Sequence, residues 1–519
     1  QSHTMLGAEA LLRTLASSGV TTCFANPGTS EMHLVAALDA VPSLRPVLTL
    51  AEGVASGAAD GWARVTGRPA ATLLHLGPGL SNALSNLHNA KRAQSPVLNI
   101  VGDQASYHRA NDAPLTSDIA GLAGTVSAWV GCAAGADDMS RTAGAALRAA
   151  MGPPGAISTL VVPADAAWGE TDQPVVSIVP TTPRAPNVHR IEAVRRALAS
   201  GAPAVLLIGG AAMRGRAVRD ASRAANAAKA RLFSTTFTAV AERGAGRVLV
   251  NRLPYFPEQV VEALAGSRYL VLAGASVPVA FFAYPGLPGA LVPDGCEVLT
   301  LTQPEEDLAA ALGALAAALG APENGATITP HAPPPLPTGR LDPSSFAQAL
   351  GALLPEGAIV SDEAVTTRFP ALAATVGSSS HDWMCLTGGS LGLGMPMALG
   401  AALAAPGRPV ITLEADGSAM YAPQALWSLA REGANVTTLV LKNRRYRILE
   451  VELERLKLTN ARRGRELLDL STPEVDFVAL ARSMGVPGVR ASTAEEVVVA
   501  MRRAFAEEGP SVVEVVLEG

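Results

Sequence analysis

The stretch Val410-Ile-Thr-Leu-Glu-Ala-Asp416-Gly-Ser418 decides how this chain reads. An apolar run ends in acidic and small residues. A helical segment follows, with Pro423 near its first turn, an apolar stripe of Leu426, Leu429 and Ala430, and a stop at Gly433. A second apolar run, Val436-Thr-Thr-Leu-Val440, ends in Lys442-Asn-Arg-Arg-Tyr446. Strand, helix, strand is one βαβ unit, so Asp416 and Asn443 should end neighbouring parallel strands. Ligands of open α/β sheets lie at those carboxyl ends. A carboxylate and an amide oxygen there suit Mg²⁺, a hard ion that takes oxygen ligands in an octahedron. Ser418 and Tyr421, at the helix start, offer hydroxyl and amide donors to phosphate oxygens. Alone, Asp-Gly-Ser is an ordinary helix cap. Asn443, twenty-seven positions beyond Asp416, tips the balance toward a metal and phosphate site.

The same alternation extends outward. Val47-Leu-Thr-Leu50 precedes a helix from Glu52 to Arg64, and Ala71 to His75 and Val97 to Val101 follow. Ala204 to Ile208 and Tyr269 to Leu272 lie mid-chain, and Ile359-Val360 precedes the opening stretch. Continuous apolar strands separated by helices mean parallel sheets covered on both faces. The fold class is therefore α/β, with three doubly wound parallel-sheet domains. Proline-rich segments from Asp172 to Pro186 and from Ala321 to Pro337 divide the chain. The expected domains are 5–172, 187–322 and 340–519.

Composition narrows the classes. Of 519 residues, 49% are hydrophobic and 16% charged, enough apolar material for several cores and unlike a disordered chain. A net charge of -5 gives no basic field for nucleic acid. Cys23, Cys132, Cys296 and Cys385 are far apart with no CxxC spacing, which fits a reducing compartment. Tyr269–Pro293 and Trp383–Gly407 carry little or no charge, but prolines break the first and glycines the second, so no membrane span is expected. Gln1–Thr4 reads as an expression scar, no signal peptide follows, and a cytoplasmic location is expected.

The Asp416 and Asn443 stretch resembles the cofactor motif of thiamine diphosphate enzymes, Gly-Asp-Gly, then a βα unit, then Asn-Asn. The whole chain is similar to the family of benzoylformate decarboxylase and acetolactate synthase. That resemblance implies a pyrimidine-binding N-terminal domain, a central domain and a diphosphate-binding C-terminal domain. Ala415 and Lys442 depart from the motif. The implied Mg²⁺ ligands are the side chains of Asp416 and Asn443 and the backbone carbonyl of Arg445. Thiamine diphosphate is implied to meet Thr366, Gly389, Leu391, Gly417, Ser418, Tyr421 and Ile448. Gly389 offers its carbonyl to the aminopyrimidine, and Leu391 enforces the bent cofactor.

In the first domain, Ala51-Glu52-Gly-Val-Ala-Ser-Gly-Ala-Ala-Asp-Gly-Trp-Ala-Arg64 resembles the activating-glutamate helix. Glu52 is then the carboxylate that engages the pyrimidine, and its apolar neighbours suggest a desolvated acid. By the same resemblance His75 moves protons and Thr29, in Asn26-Pro-Gly-Thr-Ser-Glu31, meets the substrate carboxylate. A capping role for Thr29 or Ser30 is the plain alternative. Phe281 stands where the decarboxylase carries a second pocket histidine, and His108 is a candidate substitute. Arg444, Arg445 and Arg447 either face solvent or a subunit interface, or attract an acidic substrate.

The implied activity is decarboxylation of a 2-oxo acid, ending in aldehyde release or ligation to a second carbonyl. An acetolactate synthase-type carboligase without FAD is one alternative, because Leu206-Leu-Ile-Gly-Gly210 carries no convincing FAD signature. A cofactor-free regulatory or binding homologue is another, resting on Ala415 and Lys442. The family's two-chain cofactor site implies at least a homodimer, and a homotetramer by resemblance.

Overall fold

The computed structural model describes residues 4–458 and 460–518, so Gln1–His3 of the expected scar lie outside the described residues. Three parallel sheets form the frame. The N-terminal sheet runs, edge to edge, Arg45–Leu48, Thr22–Ala25, Ala70–His75, Val97–Asp103, Ile157–Pro163 and Trp129–Cys132. The central sheet runs Asn251–Arg252, Arg231–Ser234, Ala204–Ile208, Tyr269–Ala273 and Glu297–Thr300. The C-terminal sheet runs Ala241–Arg243, His381–Cys385, Ala358–Glu363, Val410–Ala415, Val436–Lys442, Ser511–Val516 and Gly488–Ala491. Its first strand is antiparallel to the rest and comes from the span read as central domain.

The inner strands are buried along almost their whole length, which is why they read as unbroken apolar runs. Edge strands read less well. Val47-Leu-Thr-Leu50 is in fact the edge strand Arg45–Leu48, with Leu50 exposed at its exit. The uncharged stretch Tyr269–Pro293 is a strand and a long loop, and Trp383–Gly407 is a strand end, a glycine loop and the helix Gly394–Ala404. Among the described residues, no helix is long and apolar enough to cross a membrane.

Each sheet has a point where strand order reverses. In the C-terminal sheet it lies between Ala358–Glu363 and Val410–Ala415, and in the N-terminal sheet between Thr22–Ala25 and Ala70–His75. Such points open a crevice at the strand ends. The two outer domains are locked by the helix Glu52–Thr66 crossing the helix Gly394–Ala404. A Cβ on Gly400 would lie 1.9 Å from the Ala58 carbonyl oxygen, and one on Gly61 2.1 Å from that of Met397. Only glycine allows backbones this close.

Candidate functional site

Four adjacent strands of the C-terminal sheet end around a cavity of about 280 Å³. Thr366 follows the first strand, Gly389 and Leu391 the second, Asp416, Gly417 and Ser418 the third, and Asn443, Arg445 and Ile448 the fourth; all line the cavity. The register pairs Ala415 with Leu441, so Asp416 and Asn443 leave neighbouring strands side by side. Asp416 is buried, and its two oxygens accept from the Gly417 N–H at 2.9 Å and the Arg444 N–H at 2.7 Å. Burial raises its carboxyl above the ordinary value, against the pull of those N–H groups. Among the described residues no side-chain cation pairs with it. A buried, unneutralised carboxylate beside an amide oxygen is a donor set that fits a hard cation. Arg444, at φ +61, turns the chain so that the Arg445 N–H bonds Asn443 Oδ1 at 3.1 Å. A Cβ on Gly417 would lie 2.4 Å from the Tyr446 ring, so the turn admits no larger residue.

The two departures from the motif leave this site intact. Ala415 has φ -68, so its backbone needs no glycine. Lys442 alternates away from the cavity, which its neighbours Leu441 and Asn443 line. Its ammonium is buried against Glu514 at 3.2 Å, Glu474 at 2.7 Å and the Val475 carbonyl at 2.7 Å. Tyr421 does not reach the cavity and stands 59% exposed. The expected single helix after Asp416 is two, Asp416–Ala419 and Ala425–Glu432, because Pro423 lies where one helix would need a backbone donor. Arg444, Arg445 and Arg447 are met by Glu474, Glu450 and Glu454, so they form a paired face rather than a free positive lure.

The glycine loop before Gly394 is held from two sides. Asn89 donates to the Ser390 carbonyl at 2.8 Å and accepts from the N–H groups of Gly388 and Ser390 at 3.1 and 3.2 Å. Asn86 donates to the Gly392 carbonyl at 2.9 Å. From below, buried Glu363 accepts from the N–H groups of Gly392 and Gly394 at 2.6 and 2.5 Å. Burial pushes Glu363 up to about 7, and the facing Glu414, also buried, well above its ordinary value, with Glu363 the next cause. No motif in the sequence marks these residues. Asn82, Asn86 and Asn89 are spaced four and three apart on the helix Leu76–Ala93, a polar stripe on a largely buried helix, and that spacing was a usable signal.

The second group gathers at the crevice of the N-terminal sheet. His75 ends its strand with Nδ1 2.9 Å from the Glu31 carboxylate and 3.1 Å from Ser30 Oγ. Glu31 is fully buried, and a Cβ on Gly102 would lie 1.9 Å from one of its oxygens. Glu31 was read only as part of the Thr29 turn; its spacing matches a capping residue and hides its partnership with His75. Thr29 itself is exposed. Glu52 begins its helix half-exposed, accepting from Asn82 Nδ2 at 3.2 Å. Its apolar neighbours Val54, Ala55, Ala58 and Ala59 are buried in the core, and the carboxylate stays partly exposed in this chain. His108 lies in another loop, facing Asn111 at 3.0 Å. Glu52, His75 and Thr29 are not among the residues lining the Asp416 cavity.

Phe281 lines that cavity instead of a histidine. It meets Phe237, Tyr255 and Phe282, and its ring covers Gly389.

Comparison with known proteins adds the following. Residues 5–122 match the profile described as thiamine pyrophosphate enzyme, N-terminal TPP binding domain, and residues 371–515 the C-terminal TPP binding domain. The chain is 51% identical over 516 residues, 99% of both chains, to a Mycobacterium tuberculosis protein with a provisional acetolactate synthase large-subunit name, IlvX. It is 30% identical to benzoylformate decarboxylase of Pseudomonas aeruginosa over 96% of both chains. The structure of a Rhodococcus jostii thiamine diphosphate-dependent 4-hydroxybenzoylformate decarboxylase superposes with a TM-score of 0.84 at 25% identity, covering 99% of each chain.

Proposed function

This chain belongs to the thiamine pyrophosphate enzyme family, and from that premise we propose that it decarboxylates a 2-oxo acid at a site shared by two copies of itself. The observation that carries the proposal is the buried Asp416 beside Asn443 at the mouth of a cavity. When bound, thiamine diphosphate supplies a carbon nucleophile and an electron sink for loss of carbon dioxide. Asp416, Asn443 and the Arg445 carbonyl would hold Mg²⁺. Thr366, Gly417 and Ser418 would meet the diphosphate, Gly389 and Leu391 the pyrimidine, and Ile448 the ring between. Tyr421, exposed in one chain, would join only in the assembly. Glu52 of a second copy would hold the proton on the pyrimidine nitrogen, because its own chain places it outside the cavity. His75, oriented by Glu31, would move a proton at the substrate, and Thr29 would take the substrate carboxylate.

One observation favours a branch of this chemistry. Phe281 supplies no proton at the position where the decarboxylase has a histidine. That favours capture of the activated carbon by a second carbonyl over release of an aldehyde. The cofactor-free reading loses its support, since Ala415 and Lys442 leave the donor set unchanged. We place the enzyme in the cytoplasm as a homodimer or homotetramer, its cysteines kept as thiols. The test is calorimetry with thiamine diphosphate and Mg²⁺, followed by carbon dioxide release from pyruvate, benzoylformate and a longer 2-oxo acid. Mg²⁺-dependent cofactor binding and release from at least one acid are expected. No cofactor binding would overturn the proposal.

A further inference from the structure

A second cavity, of about 250 Å³, lies where the central sheet meets the edge of the C-terminal sheet. Its walls include Arg243 of the antiparallel edge strand, Arg252 at the end of Asn251–Arg252, and Trp383. The fully buried arginines carry an acid: Arg64 has Asp60 at 2.7 Å, Arg223 has Asp220 at 2.6 Å and Arg368 has Asp362 at 2.6 Å; Arg243 and Arg252 are half-buried. Among the described residues, Arg243 and Arg252 have no acid. Arg243 donates to the Leu372 carbonyl at 2.6 Å and to Thr375 Oγ1 at 3.4 Å, and its Nε is buried without a partner. Arg252 donates to the Thr236 carbonyl at 3.1 Å. A guanidinium carries five N–H donors, so both retain unused donors, with the Arg243 guanidinium 5.4 Å from the centre of the Trp383 ring.

The nearby acids are already engaged. Glu242, which itself lines the cavity, pairs with Arg247 at 3.3 Å, and Asp362 with Arg368 and the Trp383 indole N–H at 3.0 Å. Burial lowers Arg243 to about 10, with the Arg252 charge the next cause, and Arg252 is lowered chiefly by burial. Two like charges partly withdrawn from water, with no acid bonded to either, are costly to hold, and an anion would offset that cost.

We propose that this cavity binds a small oxyanion, carboxylate or phosphate, in the fork between Arg243 and Arg252. Planar guanidinium forks match both oxyanions in bidentate geometry. Ser234, Asn251 and Thr329 add polar groups to the wall, and Leu372, Val376 and Trp383 leave room for a short apolar body. The site is separate from the cofactor cavity, and Asp362 lies between them, bonded to Trp383 on one side and to Arg368, a lining residue of the cofactor cavity, on the other.

The experiment loads the enzyme with thiamine diphosphate and Mg²⁺, removes the excess, and titrates inorganic phosphate or acetate calorimetrically in a low-chloride sulfonate buffer. One saturable site is expected for at least one anion, and the anion that binds identifies the source. Arg252→Gln should weaken it at least about tenfold while cofactor affinity is unchanged. If that variant does not fold, Arg252→Lys, which keeps the charge but loses the fork, should weaken binding in its place. No saturable binding in the wild type would overturn the proposal. So would wild-type binding in Arg252→Gln and Arg243→Gln, or in Arg252→Lys where Arg252→Gln does not fold.

Discussion

At the scale of single residues, the account depends on where each carboxylate keeps its proton. Glu52→Gln preserves shape and removes the acid, so cofactor affinity should hold while turnover falls by about a hundredfold or more, read by steady-state carbon dioxide release. Asp416→Ala should instead lose Mg²⁺-dependent cofactor retention, measured by calorimetry. Glu31 touches no substrate in this account and works through His75. Glu31→Gln should therefore lower kcat and move the pH profile of kcat, whereas a purely structural role would leave that profile in place. Glu363 and Glu414 give a pH prediction. Both are raised in the folded chain, Glu363 to about 7, so the folded state binds more protons than the unfolded one, and stability is lost as pH rises above 4.5, for Glu363 through about 7. In Glu414→Gln the melting temperature should fall less across that window than in the wild type, followed by circular dichroism. Asp416 and Asn443 were legible because a βαβ unit forces their neighbourhood from spacing alone. Glu31 was not, because its contact crosses to another strand and its local pattern matches a helix cap.

At the scale of elements, the crossing of Glu52–Thr66 on Gly394–Ala404 sets the height of the glycine loop that enters the second helix. Gly400→Ala places a methyl against the Ala58 carbonyl, and neither backbone can yield cheaply. A loss of about 1–3 kcal/mol is expected by denaturant unfolding, with weaker cofactor binding as the loop shifts. Gly407→Ala, on the same helix's exposed exit with nothing within 4 Å, should change neither. The inner strands were legible because burial on both faces leaves an unbroken apolar run. The edge strand Arg45–Leu48 and the break at Pro423 were blurred, since one is only partly covered and the other depends on where a single backbone donor is missing. The antiparallel strand Ala241–Arg243 is three residues long, and only its pairing with His381–Cys385 reveals it.

At the scale of the whole molecule, the proposed shared site would make one chain carry two half-sites. Asn86 and Asn89 of the N-terminal domain brace the loop that presents Gly389 and Leu391, while Glu52 of that domain stands outside the Asp416 cavity. The exposed ring edges of Phe281, Phe282 and Phe369 beside that cavity are surface a second copy would cover. No sequence pattern states which domain of which copy completes a site; that depends on surfaces assembled from all three sheets.

The most direct measurement mixes two inactive proteins. Glu52→Gln and Asp416→Ala homo-oligomers are denatured together, refolded with thiamine diphosphate and Mg²⁺, and assayed for carbon dioxide release. A mixed dimer gathers both lesions in one site and leaves the other whole, so about a quarter of wild-type activity should return. If the mixed sample stays as inactive as its parents while the refolded wild type recovers, the site does not span two chains and the account fails.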